Sequence, residues 1–158
     1  MFKVSLNRPD EVKGWRFDKQ RDFEEIVFLD STFYVMVSNG DFDKITFVNN
    51  KIAVVKLDFS NASKKVNEFE SIYYSLQDKK LIILCKQFED DKKSNLYSFY
   101  FSDSAHQFIN NQTMETKQLY QKIGSKKEKI KPSAAAINLL TKELYVLCSA
   151  NKIIFIQD

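Results

Sequence analysis

Apolar and polar positions along this chain fall into short runs that recur. Residues Asp22-Phe23-Glu24-Glu25-Ile26-Val27-Phe28 resemble Glu68-Phe69-Glu70-Ser71-Ile72-Tyr73-Tyr74, at an offset of 46 residues. A weaker third copy is Lys131-Pro132-Ser133-Ala134-Ala135-Ala136-Ile137, with Ser133 where Glu24 and Glu70 stood. Each copy is followed by a second apolar run, at residues 33–38, 81–86 and 144–149. Glu70 to Ser133 and Cys85 to Cys148 are both 63 residues apart, and two markers at one offset support a true repeat. Third runs at 43–48, 96–101 and 152–157 are short and rich in aromatics and Ile, which predicts strands. Weaker fourth runs follow at 51–57 and 106–114. Ser38-Asn39-Gly40-Asp41, Asn49-Asn50 and Asp90-Asp91-Lys92-Lys93-Ser94-Asn95 supply turns between them.

Four short strands in a unit of roughly 45 residues is the arithmetic of a β-propeller blade. Residues 2–6 and 12–17 read as the third and fourth strands of a preceding blade, and 152–157 as a third strand with no fourth. The predicted fold is all-β: a partial β-propeller of about three four-stranded blades of a six-bladed type. It is divided as the end of a preceding blade (1–18), a blade (22–58), a second blade (68–114), a helix and basic loop (115–131) and an incomplete blade (132–158). The expected strands are two, four, four and three, against about 24 in a six-bladed ring. That count implies half of a propeller, a fragment or truncated reading frame; the rival reading is a small self-contained β-sandwich. One helix is expected over 115–123, with Leu119, Tyr120 and Ile123 near one face and Gly124 as its C-terminal cap.

Composition narrows the class. Aromatics make up 14% of the 158 residues, enough apolar surface to offset chain entropy once buried, which argues against disorder. The formal charge is only +3, and Arg8, Arg16 and Arg21 are the only arginines, so no nucleic-acid partner is expected. No apolar run approaches the ~20 residues of a membrane-spanning helix. Two cysteines and a single histidine, without CxxC or HxxH spacing, exclude a disulfide-dense scaffold and a zinc site of Cys/His type. The first residues contain no apolar stretch of signal-peptide length, so no export signal is expected in this chain.

Taken in order, these stretches resemble the SdiA-regulated family of bacterial β-propellers. The resemblance is carried by Asp22 to Ile26, by Asn67 to Ile72, by the run ending in Cys85-Lys86 and by Ile130 to Ile137, followed by Thr141 to Ser149. It implies a six-bladed propeller of phytase-like or NHL-like kind, in the envelope or periplasm of Gram-negative bacteria, with an undefined biochemical role. Some related propellers bind calcium. The chain departs from the family in its missing blades and missing export signal. At the repeat's usual small residue after Glu it carries Glu25 in one copy and Ser71 in the other.

Candidate chemistry is sparse. Glu24 and Glu70 share one repeat position, so on the first strands of a propeller they would converge on the central channel. There they are expected to help hold calcium, which takes 6–8 oxygen ligands, or to meet a polar ligand. The plainer reading is that each satisfies strand-end backbone donors in its own blade. Asn39, Asp41 and Asp43 superficially evoke a calcium loop, but a hairpin turn is expected, because the distal Glu of such a loop is missing. Cys85 and Cys148 hold equivalent places in neighbouring blades, too far apart to pair, and are expected as buried free thiols. His106 is expected on the surface, since no GxSxG elbow accompanies it. Trp15 is expected in blade-to-blade packing. The basic loop Lys126-Lys127-Glu128-Lys129 reads as an anion contact or as a solvated linker. The leading expectation is a non-enzymatic module that binds a small ligand or protein. The alternative is a phytase-like or lactonase-like metal hydrolase. A third expectation is edge-to-edge self-association, because truncated propellers expose strand edges.

Overall fold

The computed structural model describes residues 1–19, 21–59, 67–88, 96–102, 107–124 and 129–157. The turn at 90–95, His106 and the loop residues 126–128 lie outside the described residues. Among the described residues, thirteen strands form four antiparallel sheets, none of them closed. A hairpin of β1 (Phe2–Val4) and β2 (Val12–Gly14) comes first. The first full sheet is β3 (Phe23–Leu29), β4 (Thr32–Val37), β5 (Phe42–Val48) and β6 (Lys51–Leu57), paired in chain order. The second is β7 (Glu68–Ser75), β8 (Lys80–Gln87), β9 (Leu96–Ser102) and β10 (Gln107–Met114). Helix α1 (Lys117–Ile123) leads to the third sheet, β11 (Ala134–Ile137), β12 (Leu144–Cys148) and β13 (Ile153–Gln157). The grouping of strands is the one the repeat predicts.

Local chemistry explains the joints. Two-residue hairpins of type I′ take positive φ at both central residues, which matches the strand twist. Asp30 (φ 45°) and Ser31 (φ 62°) supply this between β3 and β4, and Asn49 (φ 49°) and Asn50 (φ 60°) between β5 and β6. The N-terminal strands are shorter than the expected 2–6 and 12–17. After Gly14 the backbone leaves the ladder, and Trp15 packs edge-on against Phe47 and donates its indole N–H to the Asn50 carbonyl (3.1 Å). Helix α1 starts two residues later than expected and ends at Gly124 in the left-handed region (φ 69°). Leu119 packs into the neighbouring core, whereas Ile123 is exposed.

The three larger sheets stack in series, with β3 beside β7 and β7 beside β11. The second sheet is apolar on both faces because alternate side chains of a strand point to opposite sides. Ile83 and Cys85 join Tyr34, Met36, Phe42, Phe59, Phe69, Phe99 and Phe108 in one core against the first sheet. Leu84 joins Ala135, Val146 and Cys148 in another core against the third sheet.

Candidate functional site

The repeated Phe-Glu pairs open the first strand of two sheets. In β3 the pairing passes from Phe23↔Val37 to Glu25↔Met36, so Glu24 is an extra residue in a β-bulge. In β7 it passes from Phe69↔Cys85 to Ser71↔Leu84, so Glu70 is the extra residue at the equivalent place. Phe69 fixes that end of β7. Its backbone N–H donates to the Ser38 carbonyl (2.8 Å), and its ring is fully buried against Phe59 and Phe99. The ring lies where a Cβ on Gly40 would stand, 2.7 Å away, and Gly40 itself has φ 88°.

The bulges bring charges to one rim. Glu70 is ion-paired and hydrogen-bonded to Lys86, which also lies 3.6 Å from Glu68. Glu24 has no hydrogen bond or ion pair among the described residues. Partial desolvation, then the charges of Glu70, Asp22 and Glu68, push its carboxyl above the ordinary value; Lys86 opposes them. The Glu70 carboxylate holds the Lys86 ammonium above its usual value. In the third copy the same two places are filled by Ser133 and Ser149, whose hydroxyls hydrogen-bond at 2.6 Å. Neither Glu24 nor Glu70 hydrogen-bonds a strand-end N–H of its own sheet in the described structure.

The residue after each Glu carries the joint between sheets. Glu25 accepts from the Ile72 N–H (2.6 Å), linking β3 to β7. Ser71, at the equivalent position, accepts from the Ala135 N–H (2.8 Å), linking β7 to β11. The donors Ile72 and Ala135 are themselves repeat equivalents, 63 residues apart. This pair of bonds, and the role of Lys86, were absent from the sequence reading. The signal was present in the copies as the residue following each Glu.

A second polar cluster sits where the N-terminal segment meets the first sheet. Arg21 reaches Asp18 (2.9 Å), Asp43 (2.8 Å) and, at 3.5 Å, Asp41; Lys56 also pairs with Asp18 (2.9 Å). The guanidinium and then the Lys56 ammonium hold the Asp18 carboxyl well below the carboxylate range. Burial pushes Asp43 up against the pull of Arg21, and its Oδ2 has no hydrogen-bond partner among the described residues. Asn39-Gly40-Asp41 forms the β4–β5 turn, with Gly40 N–H on the Val37 carbonyl and Asp41 Oδ1 accepting from the Phe59 N–H. Nearby, a cavity of about 290 Å³ is lined by Phe17, Phe23, Glu24, Ile26 and Val35.

Cys85 and Cys148 are free and buried, and burial pushes the Cys148 thiol up to about 11. Among the described residues no group of three or more His, Cys, Asp or Glu side chains is arranged to hold a metal ion, and no helix is long and apolar enough to cross a membrane. Comparisons with family models, curated proteins and solved structures found no match to this chain.

Proposed function

We propose that this chain is a binding module of β-propeller type whose rim of bulged glutamates, Glu24 and Glu70, holds a cationic ligand. The observation that carries this reading is the same bulge in the same register of two successive first strands. Bulges re-aim side chains and gather at sites of function. Asp22, Glu24, Glu68 and Glu70 outweigh Lys86 at this rim, so its field favours a cation. Calcium is the simplest member of that class, with the remaining coordination left to water or to a further ligand. Binding requires Glu70 to exchange the Lys86 ammonium for the incoming charge.

That requirement sets the experiment. Calcium is titrated calorimetrically into wild type, Glu24→Gln/Glu70→Gln and Lys86→Gln. The reading expects binding in the range of extracellular modules, with dissociation constants of about 10⁻⁴–10⁻³ M. It expects loss in the double variant and several-fold tightening in Lys86→Gln. Equal heats from all three proteins would remove the rim as a cation site. The resemblance to envelope propellers supports a place in the bacterial envelope, which fractionation of the native cells tests directly.

A further inference from the structure

Each sheet of this chain has a preceding side and a following side, and the repeat allows them to be compared position by position. On the following side, Met36, Leu84 and Leu147 share one register. Met36 is 0% and Leu84 2% exposed, because the next sheet covers each, whereas Leu147 is 40% exposed. Its cross-strand partner Ile154 is 65% exposed, and Ile156, paired with Tyr145, 53%. On the preceding side, Ile26, Ile72 and Ala135 share one register. Ile72 is 2% and Ala135 8% exposed under the sheet before them, whereas Ile26 is 51% exposed.

Among the described residues, two unequal apolar faces are therefore left uncovered. One lies on the third sheet, formed by Leu147, Ile154, Ile156 and their neighbours. The other lies along β3, formed by Phe23, Ile26 and Phe28, and opens on the cavity of about 290 Å³ beside Phe17 and Val35. Trp15 covers the outer part of that sheet at Phe47, while Phe23, Ile26 and Phe28 stay exposed. Within the chain, a face of the first kind is buried twice, each time by a face of the second kind. That repeated junction identifies what fits each open face.

We propose that the open face of the third sheet docks, head to tail, on the open β3 face of a second copy of this chain. The contact is between apolar sheet faces and needs no ligand at the rim, although Glu24 borders the cavity on which the β3 face opens. It is heterologous, with different patches on the two copies, so a pair of copies can close on itself or continue. At the position of Glu25 and Ser71 the third sheet carries Ala134, which has no side-chain acceptor for the next N–H. The junction thus lacks the side-chain-to-backbone bond of the two internal ones and is weaker than they are, which predicts association that depends on concentration.

The test is sedimentation velocity of the full chain over about 1–200 µM, the range of weak, modest-sized interfaces. Wild type is compared with Phe28→Lys, with Ile154→Lys and with an equimolar mixture of the two. Both side chains are mostly exposed, so thermal melts should stay near wild type and show that folding is intact. The proposal expects the wild-type mass to rise with concentration, and each variant alone to associate at least 10-fold more weakly. It also expects the mixture to regain a heterodimer, because one intact face survives on each copy. A wild type that stays monomeric overturns the proposal and leaves both faces to some other occupant. Variants that associate like wild type, or a mixture that gains nothing over its components, overturn it equally.

Discussion

Replacing Ser71 with alanine tests the joint between the second and third sheets. The Ser71 side chain is fully buried, and among the described residues its one hydrogen bond is accepted from the Ala135 N–H at 2.8 Å. Ala135 is itself buried, so water cannot replace the lost partner without opening the junction. An orphaned buried donor costs about 1–3 kcal/mol. At roughly 2–4 °C per kcal/mol for a chain of this size, the melting temperature should fall by about 2–12 °C. Ser98→Ala is the control. It removes a buried hydroxyl from the same sheet, but one whose bonds, at 3.3 and 3.5 Å, stay within that sheet. Urea unfolding gives the free-energy difference, and amide exchange at Ala135 locates it, with protection falling about 10-fold or more if the bond is the cause. A Ser71→Ala protein within about 0.5 kcal/mol of wild type, with Ala135 exchange unchanged, would refute the reasoning.

Gly40→Ala should destabilise by about 2–5 kcal/mol in chemical denaturation, combining a left-handed alanine with a Cβ driven into the packed Phe69 ring. Glu24 binds its proton more tightly in the folded state than in the unfolded one. The stability this gives is present below the ordinary carboxyl value and is lost as pH rises through the raised one. Glu24→Gln should therefore melt above wild type at about pH 7, an advantage that vanishes near pH 4. Cys85 and Cys148 should resist a thiol reagent while folded, since burial raises both thiols and cuts the thiolate of Cys148 about 100-fold; both should react at once in denaturant. Ready labelling of the folded protein would mean that the cores around β8 and β12 open.

Strand identity and grouping were legible because they depend on local alternation and on copies that repeat it. The run at 51–57 became β6 without a shift, and Asn49-Asn50 formed the turn its composition suggests. Asp30-Ser31 escaped notice as a turn because neither residue is a glycine or asparagine, yet both take positive φ. The site was harder to read. Glu24 and Glu70 stood out as repeated carboxylates, but nothing local says that Lys86, 16 residues on, would neutralise Glu70. The roles of Glu25 and Ser71 depend on how sheets stack, which strand periodicity does not encode. Asp43, read as part of a turn, is a buried partner of Arg21 from a segment 22 residues earlier.

Strand β8 stands with Ile83 in one core and Leu84 in the other, one residue apart on opposite faces. A sheet gripped from both sides makes the molecule behave as a short linear array, in which each unit senses only its neighbours. Loosening of the first sheet can reach the third only through β8 and its flanking strands. The order in which the chain loses structure is then set by its middle. The end sheets can fray one at a time, but the second sheet lets go only when both of its neighbours have lost their footing.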